Sequence, residues 1–433
     1  MNTLWLRCCS VLAALALSAT AAPAQFRGHG GPVRALAATP DGKEIVSGSF
    51  DTSAIRWSLA RHAAEQVLRF HDGAVNAVAL LEDGRLATSG EDARIAIWRA
   101  GEPRPSVVLT GHTAPVVALA ASPDGKWLAS ASWDHNVRLW PLSGGTPQVL
   151  EGHQQNVNGV AFSADGRALV SAGYDATVRI WPLDAAGAGG APVIATLPSP
   201  LNAVAVMGDE IVAAGADGSL YLLGLDGMRR GELAVGSAPI IALAPSEDGA
   251  LVAAAGIRGS VALVERAARR LARTLAVPGP PVWSVAFVPG GHVLLTGGGD
   301  RLIRRWDGDS GAPLDTGSAG GPEDPLAAYA GDPGAQVFRA CVACHTLRPD
   351  EGNRAGPTLA GVFGRRIASL PGYNFSEALK KLDIVWTPDT VAKMFEIGPM
   401  AYTPGTKMPE QRIGSAEERD ALVKFLEKAT REK

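Results

Sequence analysis

Apolar residues return along the first two-thirds of the chain at intervals of 41 or 42 residues. Seven positions mark this repeat: Trp57, Trp98, Trp140, Trp181, Leu223, Val264 and Trp306. Between them lie short apolar segments, such as residues 116–120 and 137–140, separated by turn pairs such as Asp124-Gly125. A period between about 20 and 50 residues is typical of repeat architectures, and strand-length segments between turns indicate β-structure. The pattern predicts seven β-rich units.

Polar residues recur in the same phase. An aspartate stands six residues before most of the markers, and a serine or threonine stands ten residues before five of them. In the first four units a histidine stands 27 or 28 residues before the marker, at His29, His71, His112 and His153. The arrangement resembles the WD-repeat β-propeller family, over residues 25–307. The resemblance implies an all-β propeller of seven four-stranded blades, in which these histidines are structural and units five and six are degraded.

Two features of the repeat leave alternatives open. A blade edge must be closed, and either residues 25–27 or residues 313–315 could pair with residues 302–306. Aromatic residues stand immediately before the turn aspartate of three units, at Phe50, Trp133 and Tyr174. They either bind a protein partner at one end of the propeller or pack over neighbouring loops.

The amino terminus has the pattern of an export signal, with Arg7, an apolar run at residues 11–17 and small residues before Gln25. We expect cleavage after Ala24 and a periplasmic mature protein. Later apolar runs stay shorter than the roughly 18 residues of a membrane-spanning helix, so no stable membrane insertion of the mature chain is expected. Cys8 and Cys9 leave with the signal, so a disulfide framework is not expected.

Composition narrows the function further. The formal net charge of −3 lacks the basic excess of a nucleic-acid-binding protein. Hydrophobic residues form 46% of the chain and charged residues 19%, which predicts a globular protein. Seven of the nine lysines lie in the last hundred residues. Four of these could surround a redox site and attract an acidic partner, or could be ordinary solvated side chains: Lys380, Lys381, Lys393 and Lys407.

Residues 308–330 are rich in glycine, alanine, proline and aspartate, which predicts a flexible linker. After it comes Cys341-Val342-Ala343-Cys344-His345, the spacing of covalent haem attachment, with His345 as the proximal ligand. A redox dithiol or half of a zinc site is the alternative. The adjoining histidine and the absence of a second cysteine pair favour haem.

The surrounding motifs include Gly356-Pro357-Thr358-Leu359 and Pro404-Gly405-Thr406-Lys407-Met408. Together with the cysteine motif they resemble the all-α class I cytochrome c family, over residues 331–433. The resemblance implies that Met408 is the distal ligand, with Met394 and Met400 as competitors. It also implies that Pro357 supports His345 and that Arg365 and Trp386 bind the haem propionates. Residues 416–428 predict an amphipathic helix that packs on the helix of Phe338.

A haem with both axial positions filled exchanges electrons but has no vacancy for a substrate. We therefore expect an electron carrier with one haem c, rather than an enzyme, with protein redox partners and a propeller that docks one of them. A haem enzyme of the peroxidase or nitrite-reductase kind is one alternative, and it requires Met408 to leave the iron. A propeller scaffold with a haem redox sensor is another.

Overall fold

A computed structural model describes residues 25–314 and 326–431. The predicted signal at residues 1–24 lies outside the described residues, and so does the 315–325 part of the predicted linker. In the described part the chain forms seven antiparallel sheets, followed by five α-helices.

The first four sheets follow one another along the chain and are blades 1 to 4. Blade 1 contains Val33–Ala38, Glu44–Ser49, Ser53–Ser58 and Ala63–Arg69. Blade 2 contains Val75–Leu80, Leu86–Gly90, Ile95–Trp98 and Val107–Leu109. Blade 3 contains Val116–Ala121, Trp127–Ser132, Val137–Pro141 and Gln148–Leu150. Blade 4 contains Val157–Phe162, Ala168–Gly173, Thr177–Asp184 and Val193–Thr196, with the short strand Gly187–Ala188 beside the third.

The last three sheets are blades 5 to 7. Blade 5 contains Leu201–Met207, Glu210–Gly215, Ser219–Gly224 and Arg229–Ala234. Blade 6 contains Ile240–Pro245, Leu251–Gly256, Ser260–Glu265 and Arg270–Ala276. Blade 7 contains Val282–Phe287, Val293–Gly298 and Ile303–Asp307. Each first strand contacts the first strand of the next blade, and that of blade 7 contacts that of blade 1. The predicted seven-bladed propeller is therefore confirmed.

Both candidate segments pair with the third strand of blade 7, and the amino-terminal segment thereby joins the start of the propeller to its last blade. Phe26 and Ile303 exchange two backbone hydrogen bonds of 3.2 Å. Farther along the same edge of blade 7, Pro313 forms a bridge with Trp306. The two alternatives therefore occur together, each as a single bridge rather than a full fourth strand.

The recurring polar residues form the same buried set in blades 1 to 4. In blade 3, His112 Nδ1 donates to Asp134 (2.7 Å), while Ser130 Oγ bonds His112 Nε2 (2.7 Å) and accepts from Trp140 Nε1 (2.8 Å). Burial would raise the pKa of Asp134, but the hydrogen bond and charge of His112, together with backbone hydrogen bonds from Thr113 and Asn136, outweigh it and lower that pKa to about 2. The histidines are satisfied structural residues, because each ring nitrogen has a partner inside its blade.

The aspartate of each set also fixes a tight turn. In blade 3, Asp134 Oδ1 accepts from the backbone of Asn136 (3.0 Å), and the residue between them, His135, has a φ of 71°. Positive φ is tolerated best by glycine. In blades 5 and 6 the same turn position is occupied by Gly218 and Gly259, with φ of 87° and 90°.

The carboxyl-terminal part contains helices α1 (Pro333–Phe338), α2 (Glu377–Lys380), α3 (Pro388–Ile397), α4 (Pro399–Tyr402) and α5 (Ala416–Ala429). Asp332 caps α1 through the backbone of Gly334 (2.9 Å), and Ser415 caps α5. Helix α1 packs on α5 as expected, with the rings of Phe338 and Phe425 5.4 Å apart. A Cβ at Gly334 would overlap the backbone of α5, so this close crossing requires glycine.

Replacing Ser130 by alanine should lower the free energy of unfolding of the propeller by about 2 kcal/mol, because two buried polar groups lose their partner. Denaturant unfolding followed by tryptophan fluorescence measures the change. Ser143→Ala, at an exposed position in the same blade, is the control and should change stability little. Equal effects of both substitutions would show that the buried set contributes nothing of its own.

Candidate haem-binding site

The cysteine motif continues directly from helix α1. Cys341 N donates to Phe338 O (2.7 Å), and His345 N donates to Cys341 O (3.0 Å). This helical turn brings both thiols and the imidazole to the wall of one cavity. The motif therefore forms a single site rather than three separate side chains.

The orientation of His345 is fixed by Pro357. The imidazole Nδ1 lies 2.7 Å from the Pro357 carbonyl oxygen, and because that oxygen can only accept, Nδ1 carries the proton. Burial lowers the pKa of His345, so the ring is neutral. The other nitrogen, Nε2, consequently has a free lone pair for a metal. A Cβ at Gly356 would overlap the ring, so glycine leaves room for it.

The cavity has a volume of about 330 Å³ and is mostly apolar. Its lining from the carboxyl-terminal part includes Leu359, Val362, Trp386, Phe395, Met408 and Leu422. A large apolar group with two covalent attachment points and one metal fits these walls. The residues present therefore match a haem, which needs apolar surroundings, thiols at this spacing and an axial imidazole.

Burial raises the pKa of Cys341 to about 12 and that of Cys344 to about 11. A redox-active dithiol needs a thiolate at neutral pH and hence a lowered pKa. The electrostatics of this pair therefore do not favour the dithiol alternative.

Two of the three candidate methionines line the cavity. Met408 is half-buried and lines the cavity, and so does Met394, which is buried. Met400 is 64% exposed and is not part of the cavity wall. Met394 lies on α3 within the hydrophobic core, whereas Met408 lies on a loop and packs against that core while partly exposed.

Arg365 and Trp386, the expected propionate-binding residues, lie side by side at the cavity. Trp386 N donates to Arg365 O (3.0 Å). Both terminal nitrogens of Arg365 donate to backbone carbonyls, to Ala360 O and to Thr358 O (3.0 Å each). Arg365 therefore also fixes the loop that follows Pro357.

The propeller forms part of the same cavity. Gly30, Phe50, Asp51, Thr52 and Arg69 of blade 1 and its loops line it beside the cysteine motif. The two parts of the chain meet there, so the domain after the predicted linker is held by an interface.

Several hydrogen bonds and ion pairs join the two parts. Ala355 N donates to Gly28 O (2.7 Å). At the surface, Lys407 pairs with Asp72 (3.0 Å) and Arg104 with Glu377 (2.6 Å). Blades 1 and 2 therefore take part in this interface, and the loop at residues 299–302 of blade 7 lines a second cavity with Val342 and Arg354.

The residues predicted to bind partners have different surroundings. Phe50 lines the cavity at the interface and packs on Trp283 (ring centroids 5.5 Å apart), but it is still 38% exposed. Trp133 and Tyr174 are 43% and 46% exposed. Lys407 contacts the propeller of its own chain. Lys380 and Lys393 pair with glutamates on their own helices, and Lys381 is exposed.

Sequence reasoning missed Gly30 and Arg69, although the repeat contained a signal. The residue after the blade histidine is Gly30 in the first unit, but Asp72, Thr113 and Gln154 in the next three. A Cβ at Gly30 would overlap the Cys344 sulfur, so only this unit needs glycine there.

Fold and site together define a β-propeller joined to a haem-binding domain of the c type. The family model of the WD domain, G-beta repeat, matches residues 22–58, 64–99, 103–141, 144–182 and 270–307, and the cytochrome c model matches residues 331–430. Blade 5 is left unmatched, and so is most of blade 6.

Individual relatives resemble the last part of the chain. Cytochrome c of Cochliobolus lunatus is 41% identical over 99 residues, which cover 23% of this chain and 91% of that protein. Cytochrome c of Arabidopsis thaliana is also 41% identical over 99 residues, covering 23% of this chain and 88% of that protein. Cytochrome c2 of Rhodoplanes tepidamans is 41% identical over 93 residues, covering 22% and 86%. Through this part the chain belongs to the cytochrome c family, which implies covalently bound haem c and haem-based electron transfer.

Replacing Gly30 by threonine, the residue of the third unit, should separate the two domains, because the new side chain occupies the place of the Cys344 sulfur. Small-angle scattering should then show a larger maximum dimension at unchanged propeller stability. The control is Thr113→Gln, which introduces the residue of the fourth unit at the same position of another blade. An unaltered scattering profile for Gly30→Thr would contradict the observed contact.

Proposed function

We propose that the protein is an exported, periplasmic electron carrier with one haem c, attached through Cys341 and Cys344 in a class I, all-α cytochrome domain. His345 and Met408 are its axial ligands in this proposal. The observation that supports it most directly is the apolar cavity where both thiols, the oriented imidazole and the Met408 thioether meet. The amino-terminal export pattern supports the location.

The haem supplies single-electron exchange at its iron. The protein residues hold the site ready for it: Pro357 fixes the His345 ring, and the apolar wall excludes water. A thioether ligand such as Met408 favours ferrous iron and raises the reduction potential. If His345 and Met408 both hold the metal, no position would remain for a substrate, and the chemistry would be electron transfer.

In this proposal the propeller serves as a docking platform for a redox protein. Trp133 and Tyr174 are exposed on blades 3 and 4, at the position that Phe50 occupies beside the haem cavity in blade 1. Exposed aromatic residues of this size are frequent at the centres of protein interfaces. Redox encounters bury little surface, and a second contact on the propeller would prolong them.

In the described residues no helix is long and apolar enough to span a membrane.

Carbon monoxide should leave the visible spectrum of the dithionite-reduced wild-type protein unchanged, because Met408 occupies the sixth position. Met408→Ala should bind carbon monoxide rapidly and show a lower reduction potential. Absorption spectroscopy with potentiometric titration measures both effects.

Met400→Ala is the matched control, because that side chain is exposed and lies away from the cavity. It should behave as the wild type does. Rapid binding of carbon monoxide by the wild type would reject the carrier and favour an enzyme or a sensor. If Met394→Ala opened the iron while Met408→Ala did not, the ligand would be Met394.

A further inference from the structure

Arg69 extends from the propeller into the haem domain. It is the last residue of the fourth strand of blade 1, Ala63–Arg69. Its Nε donates to the hydroxyl of Tyr373 (3.0 Å), and its Nη2 donates to the carbonyl of Ala355. Ala355 directly precedes the Gly356-Pro357 pair that holds His345. Arg69 therefore reaches the haem cavity from outside the cytochrome domain.

One nitrogen of this guanidinium, Nη1, makes no hydrogen bond within the described residues. Arg69 lines the cavity, and its Nη1 is buried without a hydrogen-bond partner in the protein. Burial would lower the pKa of Arg69, but Tyr373 and Asp51 outweigh it and raise that pKa, so the side chain is charged. A buried cation with an unpaired N–H is costly, typically by 1–3 kcal/mol or more, unless an acceptor approaches it.

Asp51 is near but is occupied by other donors. One of its oxygens accepts from His29 Nδ1 (2.9 Å) and Gly30 N (2.7 Å), and the other accepts from the Ser53 hydroxyl (2.5 Å). The Asp51 carboxylate therefore belongs to the buried set of blade 1. Asp51 therefore does not supply an acceptor for Arg69 Nη1, and a group bound in the cavity that Arg69 lines could supply one.

The repeat does not require arginine at this position. Two residues before the four blade histidines stand Arg27, Arg69, Thr110 and Glu151. Threonine and glutamate at two of these positions show that a blade does not require arginine there. Of the four residues, Arg69 is the one that lines the haem cavity.

We propose that Arg69 of the propeller is a haem-binding residue, whose Nη1 donates to a carboxylate of the haem and brings a positive charge beside it. Haem carries two carboxylates, and a guanidinium is well suited to bind one. The inference rests on the proposed function only in that haem c must be attached. A fixed positive charge favours the ferrous state, because reduction adds a negative charge. In this proposal the propeller has two roles: it docks a partner, and through the charge of Arg69 it raises the reduction potential of the haem.

The test compares Arg69→Gln and Arg69→Lys with Arg104→Gln in the full-length, haem-loaded protein. Arg104 is the matched control, because it also joins propeller to cytochrome domain, through Glu377, but does not line the cavity. Spectroelectrochemistry gives the reduction potential, and resonance Raman spectroscopy gives the propionate bending band. R69Q should lower the potential and shift the band. R69K should keep the potential near the wild-type value but still shift the band, and R104Q should change neither.

An R69Q protein with wild-type potential and band would overturn the proposal, and so would equal shifts in R69Q and R104Q, which would indicate loosening of the interface. If R69Q does not incorporate haem, R69K is the variant that tests the proposal. An unchanged propionate bending band in R69K would then rule out the contact between Arg69 and the haem carboxylate. Carbon monoxide binding by the reduced wild type would reject the carrier function, while the Raman band would still report on Arg69. A wild-type protein without covalent haem would overturn both proposals.

Discussion

The carboxylate of Asp51 connects the fold of the propeller to the haem site. It accepts hydrogen bonds from His29 and from the backbone of Gly30, and these bonds fix the loop that leads into the first strand of blade 1. The same loop bonds Ala355 through Gly28 O and leaves room for the Cys344 sulfur at Gly30. Burial would raise the pKa of Asp51, but His29 and Arg69 outweigh it and hold that pKa well below its usual range. The Asp51 carboxylate is thus shared by the buried set of blade 1 and by the interface with the haem domain.

The propeller was predictable because the same residue types recur at the same positions in successive repeats. Each blade that keeps the histidine, serine or threonine, aspartate and tryptophan specifies its own buried network, so the phase alone identifies the partners. Blades 5 and 6 lost that network and still fold: Tyr221 donates to Asp217 in blade 5 (2.5 Å), and Gly218 and Gly259 take the strained turn position. Ring closure was not predictable, since residues 26 and 313 both suit the same edge of blade 7, and both bridge it.

The haem motif was predictable because its chemistry lies within five consecutive residues. The interface was not, because it joins residues that are far apart in the chain, such as Arg69 and Tyr373, which are separated by 304 positions. Gly30 and Arg69 depart from the repeat, but a departure does not identify the group that fills the space. The lysines show the same limit: Lys407 was interpreted either as a contact for an acidic partner or as an ordinary solvated side chain, and it pairs with Asp72 of its own propeller. Charge alone does not distinguish an internal partner from an external one.

The interface contains two kinds of contact with different consequences. The Arg104–Glu377 pair is largely exposed, and such pairs contribute at most about 1 kcal/mol and weaken with salt. An ion pair of this kind contributes to the relative orientation of the two domains but adds little to the stability of the interface. The contacts of Gly30 and Arg69 are half-buried and lie at the cavity itself, so they are less accessible to solvent than the exposed ion pair. On the proposed haem contact, a partner that draws the cytochrome domain away from blade 1 also removes a positive charge from the haem and lowers its potential. Domain position and driving force for electron transfer are then linked through one arginine.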